Sequence, residues 1–228
     1  MADIYAAIVF LAFASTGFFC LGCYVARLCS ARSRRFIAIV TTFLLVGFVL
    51  KVHGRLVLAT LIPSSNVIVL GNWTPWGAAF LTGMYVRDPS VGGASRVIAP
   101  LTLMGLAWYT VLAPITIGWS VAPALNQPET SASQDYQVSC SAACAAKLLT
   151  EHGIEATEPE MIRLCLTNRL GTPPLGLYRG LKIKTHGTDW EVEIVRCPFD
   201  ELRRDVTGPM IVHVRLFGPQ VVSAHGGY

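Results

Sequence analysis

Charge is scarce in this chain of 228 residues: only 14% are Asp, Glu, Lys or Arg, against 53% that are hydrophobic. Acidic residues are nearly missing from the first 128 positions, where Asp3 and Asp88 stand against eight Lys or Arg. So little charge over so long a stretch argues against an ordinary soluble domain there. Nor is the basic excess a nucleic-acid signature, because the basic residues occupy gaps between long apolar runs, the pattern of a membrane protein. Also absent are internal repeats, low-complexity tracts and the Gly-x4-Gly-Lys-Ser/Thr phosphate loop, which leaves nucleotide-driven transport by this chain alone without support. Residues 129–228 are different, with ten Lys or Arg and twelve Asp or Glu, so the net charge of +4 joins two unlike halves.

About 20 apolar residues cross a hydrocarbon core as a helix, and the first half offers about four such runs over residues 1–125, at 4–26, 36–52, 66–86 and 97–119. The first is a retained anchor, because its positive charges, Arg27, Arg32, Arg34 and Arg35, follow the apolar stretch instead of preceding it. The second lengthens if Lys51 snorkels toward the headgroups. The third is interrupted by "GNWTPWG", where Pro75 and two tryptophans mark either an interfacial belt or a broken, re-entrant helix. Four crossings with the Arg27–Arg35 region in the cytoplasm put the N-terminus and everything after residue 120 outside; three would put the C-terminal part inside. The expectation is an integral protein of a bacterial cytoplasmic (inner) membrane, with an extracytoplasmic C-terminal domain. Cys20 and Cys23 in "CLGC" are read as small residues of an apolar helix, since two ligands do not make a metal site. His53, between Lys51 and Arg55, is read as part of an interfacial charge cluster.

Residues 126–133 have the Pro, Ser, Thr and Glu content of a linker, and a second domain is expected over 134–228. Ser139 suits an N-cap, and helical spacing predicts a helix from Cys140 to His152, stopped by Gly153. Thr157 and Glu160 have the spacing of a capping box, with Pro159 in the first turn and a stripe through Ile162, Leu164 and Leu166. A third helix is expected to end at Gly187. "WEVEIV" and "PMIVHVRL" read as strands around a short helix in "PFDELRRDV". Helices followed by strands predict an α+β domain.

Cys140 falls in the first turn of its helix, where unsatisfied N–H groups and the helix dipole favour a thiolate. Cys144 is four residues on, so the two read either as nucleophile and packing residue or as a strained disulfide. His152 and His186 precede turns and are read as surface residues.

"QDYQVSCSAACAAKLL" resembles the active-site segment of the C39 family of papain-like cysteine peptidases, in which a Gln stands six residues before the Cys in a run such as "CGAAC". Ser141 replaces the usual Gly. "GTPPLGLYRGL" is similar to the family's "GTS…GL" element, and "PMIVHV" resembles the strand ahead of the catalytic histidine, so the likeness runs from Gln134 to Val214. The resemblance implies an α-helical transmembrane region followed by an α+β papain-like cysteine peptidase domain. It implies Cys140 as nucleophile, with Gln134 helping to hold the oxyanion. It implies a peptide or protein substrate cut in a leader or pro-segment, after a pair such as Gly-Gly. No cofactor, metal or nucleic acid is expected; the expected partners are membrane lipid and a membrane protein or transporter.

The family's base is a histidine about eighty residues after the cysteine. His225 is preferred, and His213 is the alternative because it sits inside the preceding strand. The carboxylate that would orient the base has no counterpart after His225, so the domain is expected to be incomplete at its C-terminal end or to work as a Cys–His dyad. The competing reading is a catalytically inactive, C39-like peptide-binding module; a third is a structural membrane protein with disulfide-bonded cysteines.

Overall fold

A computed structural model describes residues 2–119, 139–168, 171–195, 208–215 and 224–227. The expected linker, Gln134 and the helix of "PFDELRRDV" lie outside the described residues. The chain divides into two units, residues 1–113 and 114–228.

The first unit contains α1 (Ala2–Leu28), α2 (Ala31–Lys51), the short α3 (Val57–Leu61) and α4 (Val67–Leu70), α5 (Thr74–Val86) and most of α6 (Ser95–Trp119). Among the described residues, three helices are long and apolar enough to cross a membrane: α1, α2 and the Ser95–Thr116 stretch of α6. Their outward surfaces are apolar: Phe13, Phe43 and Leu101 are each exposed by two thirds or more, and no residue of α2 is buried. A surface of that kind is stable in lipid and not in water. α2 begins five residues earlier than expected, because the Ser30 hydroxyl accepts from the Ser33 N–H at 3.3 Å and starts the helix there. The basic cluster therefore lies in the first turns of α2.

The run over 66–86 is not one helix. It breaks at Gly71–Trp73, where Pro75 lacks the N–H that would continue the ladder and instead sits in the first turn of α5. Backbone groups released in apolar surroundings need partners. Asn72, 1% exposed, provides them: its Oδ1 accepts from the Thr74 N–H at 3.3 Å and the Thr74 hydroxyl at 2.6 Å, and its Nδ2 donates to Thr110 Oγ1 at 2.9 Å. Trp73 and Trp76 stack on each other, on Phe48 of α2 and on Phe18 of α1, within the unit.

Although broken, this segment accompanies α1 from end to end. The Ser65 hydroxyl donates to Asp3 at the start of α1, Trp76 meets Phe10 and Phe18, Gly83 meets Phe19 and Cys23, and Asp88 reaches Arg34, whose guanidinium also donates to Ala26 O. The segment therefore does not turn back: 65–88 runs parallel to α1 over about 35 Å. α6 runs the opposite way, with Ala99 and Leu103 near Arg34 and Ala107 and Thr110 near Thr74. A Cβ on Gly22 would collide with the Phe80 carbonyl, and one on Gly83 with the Phe19 carbonyl, so α1 and α5 are in backbone contact through these two glycines.

The second unit contains α7 (Cys140–Glu151), α8 (Glu158–Leu164), α9 (Pro174–Lys184) and the antiparallel strands β1 (Val212–Arg215) and β2 (Ala224–Gly227). Its core is Ala142, Ala145, Ala146 and Leu149 of α7 against Met161 and Ile162 of α8 and Cys165, with Leu177, Leu181 and Ile211 packed on it. The buried face of α8 is thus Met161, Ile162 and Cys165 at spacings of one, three and four, which the helical period requires; the expected stripe at every second residue had the period of a strand. Leu166 lies beyond the helix, with φ 55.

The expected α+β papain-like domain is overturned. The regular structure described in this unit is helical apart from one pair of four-residue strands, which is not the sheet such a domain packs against its helices. "WEVEIV" forms no strand: Trp190–Val195 is irregular, and Trp190 and Val195 are largely exposed. Alternation alone does not make a strand, because its N–H and C=O groups also need a neighbouring chain.

Burial pushes the Cys165 thiol from its ordinary value near 9 up to about 12, against the opposing pull of the Arg179 guanidinium and a hydrogen bond from the Gly180 backbone. The folded unit therefore keeps this proton after the unfolded chain has released it, and stability present below about pH 9 is lost as pH rises toward 12. Denaturation measured across that window should show an alkaline limb on the order of a few kcal/mol in the native chain and a flatter one in Cys165→Ala. Equal slopes would place Cys165 outside the core.

Candidate functional site

Cys140 is the first residue of α7 and is half-buried at the helix start. Ser139 occupies the N-cap position but does not cap with its side chain: fully buried, it donates its hydroxyl to Glu158 Oε1 at the start of α8. The bond ties the starts of α7 and α8 together. The Ser139 side chain takes none of the first-turn N–H groups of α7, and such groups stabilise a developing oxyanion.

Thr157 does cap α8, accepting from the Glu160 N–H at 3.4 Å. Glu160 does not reach back to close the box. Its carboxylate takes Lys184 of α9 at 3.0 and 3.1 Å, because a charged partner outcompetes a neutral N–H.

Behind Cys140, burial raises the Cys144 thiol, and the nearness of Cys140 adds to it against a smaller opposing effect of Lys147. Neither cysteine is in a disulfide. Raised values disfavour the thiolate at Cys144 and Cys165, which suits packing and not attack. Alkylation of the folded protein near neutral pH, followed by mass spectrometry, should therefore label Cys140 ahead of Cys144, and Cys165 only after unfolding. Labelling of Cys165 in step with Cys140 would contradict this arrangement.

β2, which carries His225, lies against α7. The register pairs His225 with Val214 and His213 with Gly226, so the two histidines hold positions on opposite faces of the ribbon. The structure thus brings the helix of Cys140 and the strand of His225 together; Gln134 lies outside the described residues. His186 is exposed. His152 is occupied structurally, with Nδ1 at 2.9 Å from Leu148 O and its ring edge-on to Trp190.

Two supports of the site were not read from the sequence. Ser139 and Glu158 are 19 residues apart, and nothing local pairs them. Arg179, in a stretch that reads as an ordinary polar helix, is fully buried and donates to Leu164 O at 2.6 Å. The flanking glycines explain its burial: a Cβ on Gly176 would strike the Cys165 carbonyl, and one on Gly180 the Cys165 sulfur, so α9 is in direct contact with the turn after α8. The spacing Gly-x3-Gly around an Arg was the available clue. Among the described residues no cluster of His, Cys, Asp or Glu has the arrangement of a metal site.

No family model, no curated protein and no solved structure matches the chain.

Proposed function

We propose that this protein is a membrane-anchored cysteine peptidase that cleaves a leader or pro-segment peptide, with Cys140 as nucleophile and His225 as base. The observation that carries the reading is the packing of β2, with His225, on the helix that opens with Cys140. It is joined by the C39-type spacing from Gln134 to Cys140. In the reaction the Cys140 sulfur attacks the peptide carbonyl carbon and its proton passes to His225. The oxyanion is held by the Gln134 amide and the Cys140 N–H. His225 then gives the proton to the leaving amine, leaving a thioester that water, deprotonated by His225, hydrolyses. A Gly-Gly pair before the cut is the substrate the resemblance implies.

The membrane unit supports an orientation. Residues 65–88 run the length of α1, so four passes bring the end of α6 back to the level of Asp3. Arg27, Arg32, Arg34, Arg35, Arg87 and Arg96 share the other end, which the positive-inside tendency assigns to the cytoplasm. The peptidase is then extracytoplasmic, where it meets a peptide delivered by a separate transporter.

The test is incubation of the purified, reduced full-length protein with a peptide containing Gly-Gly, read by mass spectrometry. Cleavage after the pair, blocked by prior alkylation of Cys140, is the expected result. Peptide bound but never cut would replace the peptidase by a binding module, and neither binding nor cleavage would overturn both.

A further inference from the structure

We propose that the first unit holds one anionic phospholipid in a cleft between α2, α5 and α6, with its phosphate at Arg34 and Arg35 and an acyl chain along Leu81, Met84 and Leu103. The cleft has a volume of about 400 Å³ and is mainly apolar, with the two arginines among its lining residues. That combination fits an amphiphile and not a free ion: the charge lies at the basic end of the unit, and the apolar walls continue away from it along the helices.

Two polar atoms at the cleft point to an occupant. Thr82, 6% exposed, lines it with a buried hydroxyl that has no hydrogen-bond partner among the described residues. Arg34 Nε is likewise buried without one, although the same guanidinium donates to Ala26 O at 3.1 Å and stands 3.8 Å from Asp88. Buried donors left without acceptors are costly, and a phosphodiester offers several acceptor oxygens.

Charge favours an acidic headgroup. Asp88 is the one acidic residue at the cleft, and Arg96 donates to its backbone carbonyl at 3.1 Å, so Arg34 and Arg35 leave an excess of positive charge. Basic pockets between transmembrane helices on the cytoplasmic side bind acidic lipid headgroups by this chemistry. Ala38 and Thr42 of α2 and Ala99 and Leu103 of α6 line the cleft, and no residue of α2 is buried.

The experiment uses the full-length protein in a neutral detergent, with phosphatidylglycerol, phosphatidylcholine of the same acyl chains, or inorganic phosphate added. Bound lipid is read by native mass spectrometry and thermal stability is followed in parallel. Phosphatidylglycerol is expected to bind in a one-to-one complex and raise the melting temperature, with phosphatidylcholine and phosphate doing neither. Arg35→Gln, at an exposed position with little part in the fold, should weaken binding about five- to ten-fold. Leu103→Trp, which fills the apolar wall, should weaken phosphatidylglycerol without making phosphate bind. Equal binding of both lipids, stabilisation by phosphate alone, or undiminished phosphatidylglycerol binding in both variants would each overturn the proposal.

Discussion

Replacing Cys140 by alanine is expected to abolish peptide cleavage by the full-length protein, a fall of about 1,000-fold or more, with thermal stability nearly unchanged. The residue is half-buried at a helix start and is not among the core residues, so its side chain contributes chemistry more than packing. Cys144→Ser separates this effect from a general sensitivity to thiols: burial raises the Cys144 thiol, which disfavours a thiolate there, and its loss should leave turnover largely intact. The base is tested by the same assay. His225→Ala should match the loss seen with Cys140→Ala, whereas His213→Ala should retain most of the activity, because the two positions belong to opposite faces of the β1–β2 ribbon. Loss with His213→Ala and none with His225→Ala would move the base to the other strand. Cleavage that survives in Cys140→Ala would end the peptidase reading.

The other large effect is structural. Gly83→Leu or Gly22→Leu is expected to destabilise the first unit by about 3 kcal/mol or more, because each new side chain meets backbone of the facing helix, which cannot move aside as a flexible side chain would. Gly17→Leu, on the same helix as Gly22, and Gly105→Leu, on α6, are the controls, since a Cβ at either has nothing within 4 Å. Detergent-solubilised protein followed by thermal unfolding and size-exclusion chromatography should lose its sharp transition for Gly22→Leu and Gly83→Leu and keep it for the controls. Equal behaviour of all four variants would mean that α1 and α5 do not pack through these glycines.

Apolar runs and caps were readable because each depends on residues close in the chain. Gly153, with positive φ, follows the end of α7 as expected, α9 ends at Lys184, three residues before Gly187, and Thr157 caps α8. Where a polar side chain had two acceptors or donors to choose from, local reasoning failed. Ser139 left its own helix for Glu158, and Glu160 left the capping box for Lys184, in each case for a charge-assisted bond that only the approach of another helix makes possible. "WEVEIV" failed for a related reason, since a strand is defined by the neighbour it pairs with.

By itself the sequence determined that two unlike halves share this chain, that the first is built from apolar helices, and that Cys140 opens a helix, because composition and short-range periodicity are local properties. Only the tertiary structure decided that the broken 65–88 segment runs the whole length of α1, that Asn72 and Thr110 knit its break, and that β2 lies against α7. Those outcomes depend on contacts between residues tens of positions apart, where close packing and the need to satisfy every buried polar group choose among arrangements that the local pattern leaves equal.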